Sequence, residues 1–339
     1  MPTILGIEST CDETGAAVVI DGRTVKSNVV ATQVELHAKY RGVVPEIASR
    51  AHIENILPVI EESLEKAACG FADVDAIAVA HRPGLVGSLL VGVTSAKTLA
   101  WSLGKPLIAV DHVHAHLYSV LLDSAVSPQL PAVGMVCSGG HTALYDVRAW
   151  DEVELIGSTI DDAVGEAYDK VAAILGLGYP GGPIIDKLAA LGDPNAVQFP
   201  RTYLSRESLD FSFSGLKTAV LYHVRGVPGR GESGATLTEQ HLRDVCASFQ
   251  AACVDVLVKK LRRALASTDG RSVIIGGGVS ANRGLRAALA TFDVPVYFPP
   301  LAYCTDNAAM TAGLADVHYR VGRFASLDLD AVTYSAFAK

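Results

Sequence analysis

Thr3-Ile4-Leu5-Gly6-Ile7-Glu8-Ser9-Thr10-Cys11-Asp12-Glu13-Thr14-Gly15-Ala16-Ala17-Val18-Val19-Ile20 is the stretch that decides the fold. Two apolar runs, Thr3 to Ile7 and Gly15 to Ile20, read as strands. The turn between them, Glu8 to Thr14, packs three hydroxyls and three carboxylates into seven residues. Backbone N–H groups and hydroxyls at such a turn can hold a phosphate, and acidic side chains can hold a metal or orient an amine. A purely structural hairpin would have little use for Glu8 and Asp12. About 130 residues later the same form returns: a strand from Pro131 to Cys137, the turn Ser138-Gly139-Gly140-His141-Thr142, and a strand from Ala143 to Arg148. Two such units predict an internally duplicated α/β protein with a nucleotide in the cleft between its halves.

The chain has 339 residues, more than one core usually organises, so two domains are expected. Half of its residues are hydrophobic and 19% are charged, which gives ample core for a compact protein. The net charge of −8 carries no global signature of nucleic-acid binding, so an RNA partner would need a local basic groove or a helper protein. The six cysteines are dispersed without a Cys-x-x-Cys pair, as in reduced cytoplasmic proteins. The N-terminus runs into a strand by Thr3 without a basic or long apolar leader, and no stretch approaches 18 uncharged apolar residues. A cytoplasmic protein with no membrane span is therefore expected.

The densest chemistry lies in Val110-Asp111-His112-Val113-His114-Ala115-His116-Leu117-Tyr118, directly after the apolar strand Leu107 to Val110. If Asp111 caps a helix starting at His112, a rotation of about 100° per residue puts His112 and His116 about 40° apart on one face, with His114 pointing away. Imidazoles one turn apart make a bidentate metal clip, and the end of a buried strand is where α/β proteins place ligands. A third ligand must come from elsewhere, and Asp306, in Tyr303-Cys304-Thr305-Asp306-Asn307 at the start of the last long helix, could complete the site.

Other stretches supply polar and glycine-rich elements. Helices are expected from Ile47 to Ala68, with a kink or break at Pro58, and from the loop His81 to Gly87 through to Leu103. In Asp161 to Lys170, Asp162 is the expected helix cap, and Asp162, Glu166 and Asp169 fall on one face. The loop Gly178 to Pro183 then reads as a cleft wall, with Asp186 one turn into the next helix. Gly226 to Thr236 reads as a surface loop. On the helix Glu239 to Ala266, the cations Lys259, Lys260, Arg262 and Arg263 suit a helix C-terminus and are expected to be solvated. The strand Ser272 to Ile275 runs into Gly276-Gly277-Gly278-Val279-Ser280-Ala281-Asn282-Arg283, where glycines let a flat ligand or phosphate approach the backbone.

Taken together, Gly6 to Thr14, His112-x-x-x-His116, Ser138 to Thr142, Asp161-Asp162 to Lys170, Tyr179 to Pro183, Gly276 to Asn282 and Cys304 to Asn307 resemble the bacterial tRNA adenosine threonylcarbamoyltransferase family, formerly called O-sialoglycoprotein endopeptidases. The resemblance runs in order along nearly the whole chain. It implies an actin/Hsp70-like (ASKHA) duplicated two-lobe fold, with residues 1–108 plus 305–339 as one lobe and 109–304 as the other. It also implies transfer of the threonylcarbamoyl group from threonylcarbamoyl-AMP to N6 of adenosine 37 in tRNAs reading codons that begin with A. The implied metal ligands are His112, His116 and Asp306, around one Fe²⁺ or Zn²⁺. Substrate contacts fall on Val136, Cys137, Ser138, Gly139, Gly140, Asp169, Gly182, Asp186 and Asn282. A smaller paralogous subunit and an ATPase are the implied partners besides tRNA. Asp12 or Glu13 is the candidate for taking the N6 proton. Two departures stand out: Arg82-Pro83-Gly84 where the family usually has Gly-Pro-Gly, and Asp111-His112 where it usually has paired histidines.

Two rival classes are weighed against this. A metalloendopeptidase needs a general-base Glu beside its histidines, and Val113 fills the position that His-Glu-x-x-His gives to it. A nucleotide-binding chaperone or kinase of the same fold would hold Mg²⁺ through carboxylates and would not need two imidazoles.

Overall fold

The computed structural model describes residues 1–205, 207–228 and 234–334. In chain order the main elements are β1 (Thr3–Glu8), β2 (Glu13–Ile20), β3 (Thr24–Thr32), α1 (Val34–Ala38), α2 (Pro45–Lys66), β4 (Ala76–Arg82), α3 (Val86–Leu103), β5 (Leu107–Asp111) and α4 (His112–Tyr118). They continue with β6 (Ala132–Cys137), β7 (Thr142–Ala149), β8 (Glu152–Ser158), α5 (Val164–Ile174), α6 (Gly181–Ala189), α7 (Ser214–Arg225) and α8 (Glu239–Ser267). Last come β9 (Ser272–Gly276), α9 (Arg283–Leu289), β10 (Val296–Tyr297) and α10 (Ala308–Arg320). Contacts divide the chain into two compact units: Met1–Ser127 with Arg148–Val153 and Phe298 onward, and Pro128–Val147 with Glu154–Tyr297. Residues 109–127 group with the first unit and not, as expected, with the second, because α4 packs on α10 and β4.

The first unit is built on a sheet of order β3-β2-β1-β4-β5. β1 runs antiparallel to β2, pairing Thr3 with Ile20 and Glu8 with Gly15, and parallel to β4. Leu5, Ile7, Ile77 and Val79 from the central strands are buried with Ile60 of α2 and Val93 of α3. Strands so apolar are buried on both faces, and α10 packs against β1 and β2. Gly6 permits that approach: a Cβ there would lie 2.6 Å from the carbonyl oxygen of Ala308. Pro58 lies inside α2, which continues through it to Lys66 without a break. α3 is long and apolar enough to cross a membrane by length and composition; here it packs on α2 and β4, and Lys97 Nζ donates to the Leu329 carbonyl at 2.9 Å.

The second unit repeats the plan. Its sheet, read from one edge, is β8-β7-β6-β9-β10, with β6 antiparallel to β7 and parallel to β9, and β9 parallel to β10. That is the first sheet's strand order about its own central strand, with the same sense for the strands on either side of it, and it bears out the duplication expected from the two strand-turn-strand stretches.

Several local expectations are revised. β4 continues through His81 and Arg82, so the loop into α3 is shorter than His81 to Gly87. Asp162 does not cap α5. Ala163 holds that position and donates its N–H to Glu166 at 3.3 Å, while Asp162 binds Lys170 at 2.6 Å and Lys217 at 2.7 Å. Lys260 is not solvated: it is fully buried and donates to the carbonyls of Tyr203 at 2.8 Å and Ser208 at 2.6 Å. The irregular segment before α7 leaves those carbonyls without ladder partners, and a buried ammonium supplies them. Of the expected surface loop Gly226 to Thr236, residues 229–233 lie outside the described residues.

Candidate active site

α4 begins where the spacing predicts. The Asp111 backbone is extended, and its Oδ1 accepts from the N–H groups of Val113 at 3.0 Å and His114 at 3.3 Å. Its other carboxylate oxygen accepts from Arg82 Nε at 3.2 Å. The two positions at which this chain departs from the resembled pattern thus contact each other, and Arg82 braces the residue that caps the histidine helix.

His112 and His116 share one face of α4, with ring centroids 4.7 Å apart and planes at 80°. Asp306 sits just before α10, held by Asn307, whose side chain caps that helix through the N–H of Met310 at 3.1 Å and donates to the Thr305 carbonyl at 2.8 Å. Asp306 Oδ1 lies 3.0 Å from His116 Nε2 and 3.6 Å from His112 Nε2. One donor atom from each of the three residues falls within 4.8 Å of the others. Two imidazole nitrogens and one carboxylate oxygen are a donor set that would suit a borderline transition metal. His114 is not part of the group.

Glu8 contributes what the sequence reading did not assign. Its Oε2 accepts from His112 Nδ1 at 3.1 Å and from Thr311 Oγ1 at 3.1 Å, and its Oε1 accepts from the Thr10 N–H at 2.9 Å. Thr10 Oγ1 also lies 3.2 Å from His112 Nδ1. A fully buried carboxylate on Nδ1 fixes the ring so that Nε2 faces the ligand, the arrangement by which ligating histidines are oriented. Burial alone would lower the His112 pKa, but Glu8, Asp306 and Asp111 outweigh it and raise it to about 9. Without a cation the ring carries a proton between carboxylates, and a metal ion would take that charge over.

Asp12 and Glu13 lie side by side at the β1–β2 turn. Burial, then the charges of Asp306 and Asp12 and a hydrogen bond with Asp12, raise the Glu13 carboxyl to about 10. Glu13 therefore holds its proton. A cation on Asp306 would offset one of those causes.

In the second unit the remaining candidates surround the β6–β7 turn and the starts of α6 and α9. Val136 and Cys137 are fully buried strand residues, so only their backbone could meet a ligand. Ser138 closes the turn: its N–H donates to the His141 carbonyl at 2.7 Å, and its Oγ accepts from the His141 N–H at 3.0 Å. Gly139 and Gly140 are exposed, and a Cβ at either would meet nothing within 4 Å, so bare backbone is presented there. Gly165 lets α5 close on this turn, donating to the Ser138 carbonyl at 3.1 Å where a Cβ would lie 2.5 Å from that oxygen. Asp169 accepts from the Gly181 N–H at 2.7 Å, beside Gly182 at the start of α6. Asn282 caps α9 through the Leu285 N–H at 2.9 Å, and Asp186 accepts from Arg283 Nε at 2.7 Å.

Residues 24–313 match the family described as TsaD: tRNA N6-adenosine threonylcarbamoyltransferase. The chain belongs to this family. Curated relatives carrying the name tRNA N6-adenosine threonylcarbamoyltransferase include the protein of Moorella thermoacetica, 51% identical over 333 residues that cover 97% of this chain and 95% of its own length. That of Geotalea uraniireducens is 47% identical over the same shares of both chains. Among solved structures, HypF of T. kodakarensis superposes with a TM-score of 0.61 at 14% identity, over 97% of this chain and 49% of its own. Component A of the Acidaminococcus fermentans (R)-2-hydroxyglutaryl-CoA dehydratase does so with 0.52 at 16% identity, over 95% and 99%. These distant likenesses show the fold alone, which is of the actin/Hsp70 kind. The chain is thus a tRNA-modifying transferase, and the peptidase reading gains no support: Val113 follows His112, and Glu8 engages the far side of the ring from Asp306.

Proposed function

We propose that this chain transfers the threonylcarbamoyl group from threonylcarbamoyl-AMP to N6 of adenosine 37 in tRNAs reading codons that begin with A, releasing AMP. The observation that carries the proposal is the convergence of His112, His116 and Asp306, backed by Glu8, in a member of the threonylcarbamoyltransferase family. These residues would hold one Fe²⁺ or Zn²⁺ per chain. When bound, such an ion supplies Lewis acidity towards phosphate or carbamoyl oxygens.

The other roles belong to the chain itself. Adenosine N6 is a weak nucleophile because its lone pair is delocalised into the ring, so the donor must be oriented and its leaving phosphate stabilised. The backbone of Ser138 to Gly140 suits the phosphate, since N–H groups offset developing negative charge without reorganising. Val136 and Cys137 set the position of that turn. Asp169 and Gly182 shape the start of α6. Asp186 and Asn282 have acceptor and donor capacity beyond their internal bonds for the nucleoside. Asp12 or Glu13, side by side at the β1–β2 turn, is the group that accepts the N6 proton. The target base must leave its stack, which costs a few kcal/mol and less in a loop than in a duplex.

The partners besides tRNA are a smaller paralogous subunit and an ATPase subunit, and the compartment is the cytoplasm. A net charge of −8 gives little steering towards tRNA, which favours a helper. Ile53 and Leu57, one turn apart on α2, and Val86 and Leu90, one turn apart on α3, are exposed apolar side chains of the kind a partner covers. The test supplies threonylcarbamoyl-AMP, the partners and tRNA transcripts carrying A or G at position 37. AMP release that requires A37 is expected, and release indifferent to that base would overturn the proposal.

A further inference from the structure

Gln250, in the middle of α8 and 8% exposed, touches three other elements. Its Oε1 accepts from Asn282 Nδ2 at 2.7 Å and from the Tyr168 hydroxyl at 3.3 Å, and its Nε2 donates to Asp186 Oδ1 at 3.1 Å. The orientation of this amide follows from its partners. The Asp186 carboxylate, which also accepts from Arg283 Nε, offers acceptors, so the amide nitrogen faces it. Asn282 has given its own oxygen to the Leu285 N–H, so its nitrogen must face the Gln250 oxygen. No flipped arrangement satisfies all three contacts, and the network fixes the distance between two side chains that approach from different helices.

We infer that Gln250 is a positioning residue that sets the spacing of Asp186 and Asn282 for the adenylate part of the donor. This rests on the proposed reading of Asp186 and Asn282 as nucleoside contacts. Gln250 needs no contact with substrate; it acts because each partner has a second anchor that cannot set the spacing alone. Asn282 is tied to α9 by its cap, and Asp186 is tied to Arg283, an exposed side chain that donates to its carboxylate at 2.7 Å and to its carbonyl at 2.9 Å across solvent-facing surface. Among the described residues, Gln250 is the buried side chain that hydrogen-bonds Asp186 and Asn282 together. Gln250→Met keeps length and apolar packing but loses all three hydrogen bonds. Gln250→Glu keeps an acceptor for Asn282 and turns a carboxylate towards Asp186.

The experiment measures AMP affinity by calorimetry on the purified full chain, with steady-state kinetics, metal content and thermal midpoint for each variant. Asp186→Ala and Asn282→Ala serve as references. Both Gln250 variants are expected to weaken AMP binding about tenfold and to raise the donor KM to match, with kcat within about threefold and metal content unchanged. Gln250→Glu covers the case in which Gln250→Met does not fold. Weaker AMP binding in the two references with unchanged affinity in a folded Gln250 variant would overturn the inference, even if its thermal midpoint fell. Unchanged AMP binding in Asp186→Ala and Asn282→Ala would overturn the nucleoside reading itself, and the inference with it.

Discussion

Glu8 and His112, 104 residues apart in sequence, share a buried hydrogen bond of 3.1 Å between Oε2 and Nδ1. The end of the central strand thereby aims the first histidine of α4. Replacing Glu8 by Ala removes the carboxylate from His112 Nδ1, and loss of such a carboxylate typically costs 10–100-fold in metal affinity. Competition with a chelator of known affinity should show a loss in that range, and an unchanged affinity would mean that Glu8 does not orient the ligand.

Helix phase makes a second prediction. His112→Ala and His116→Ala should each abolish stoichiometric metal binding, whereas His114→Ala should retain it, because only the first two converge on Asp306. Elemental analysis after desalting reads the result directly. Equal loss in all three variants contradicts the geometry.

Much of this was legible because its causes are local. The spacing of two histidines and an Asp before them determined a capped helix and the face that the two rings share, and two apolar-turn-apolar stretches foretold a duplicated sheet. What stayed hidden depended on segments distant in sequence. Nothing near Lys260 announces that Tyr203 and Ser208 will need a buried donor, and nothing near Asp162 says that Lys217 will draw it off the start of α5. Glu8 looked misplaced in a plain turn, which was a signal, but its partner lay across the unit. Gln250 is an ordinary residue of a long helix until three elements meet it.

The proton held by His112 sets a pH dependence. Its folded pKa is raised from 6.5 to about 9, so in the metal-free protein the stabilising interaction with Glu8 and Asp306 is complete below about pH 6.5 and is lost as the pH rises through about 9. Metal binding runs the other way, since a cation must displace that proton. Affinity should climb up to tenfold per pH unit between about 6.5 and 9 and then level off. A flat profile in chelator-buffered titrations would show that His112 is neutral before metal arrives.

The Arg82–Asp111 contact yields a graded prediction. Asp111→Ala removes the cap of α4 and strands the Arg82 contact, and should destabilise the first unit by about 1–2 kcal/mol. Asp111→Asn retains the capping oxygen and should cost less. Urea melts of the three proteins check the order; equal costs would mean that the cap contributes nothing and that the ion pair carries the whole effect.

The central claim is that the site on α4 serves acyl transfer to tRNA and not peptide cleavage. The most direct measurement digests tRNA from a reconstituted reaction to nucleosides and weighs them by mass spectrometry, with a casein digest run beside it on the same preparation. The account predicts threonylcarbamoyl-modified adenosine in a one-to-one ratio with released AMP, its disappearance with Asp306→Ala, and intact casein throughout. Metal-dependent cleavage of casein with unmodified tRNA would contradict it.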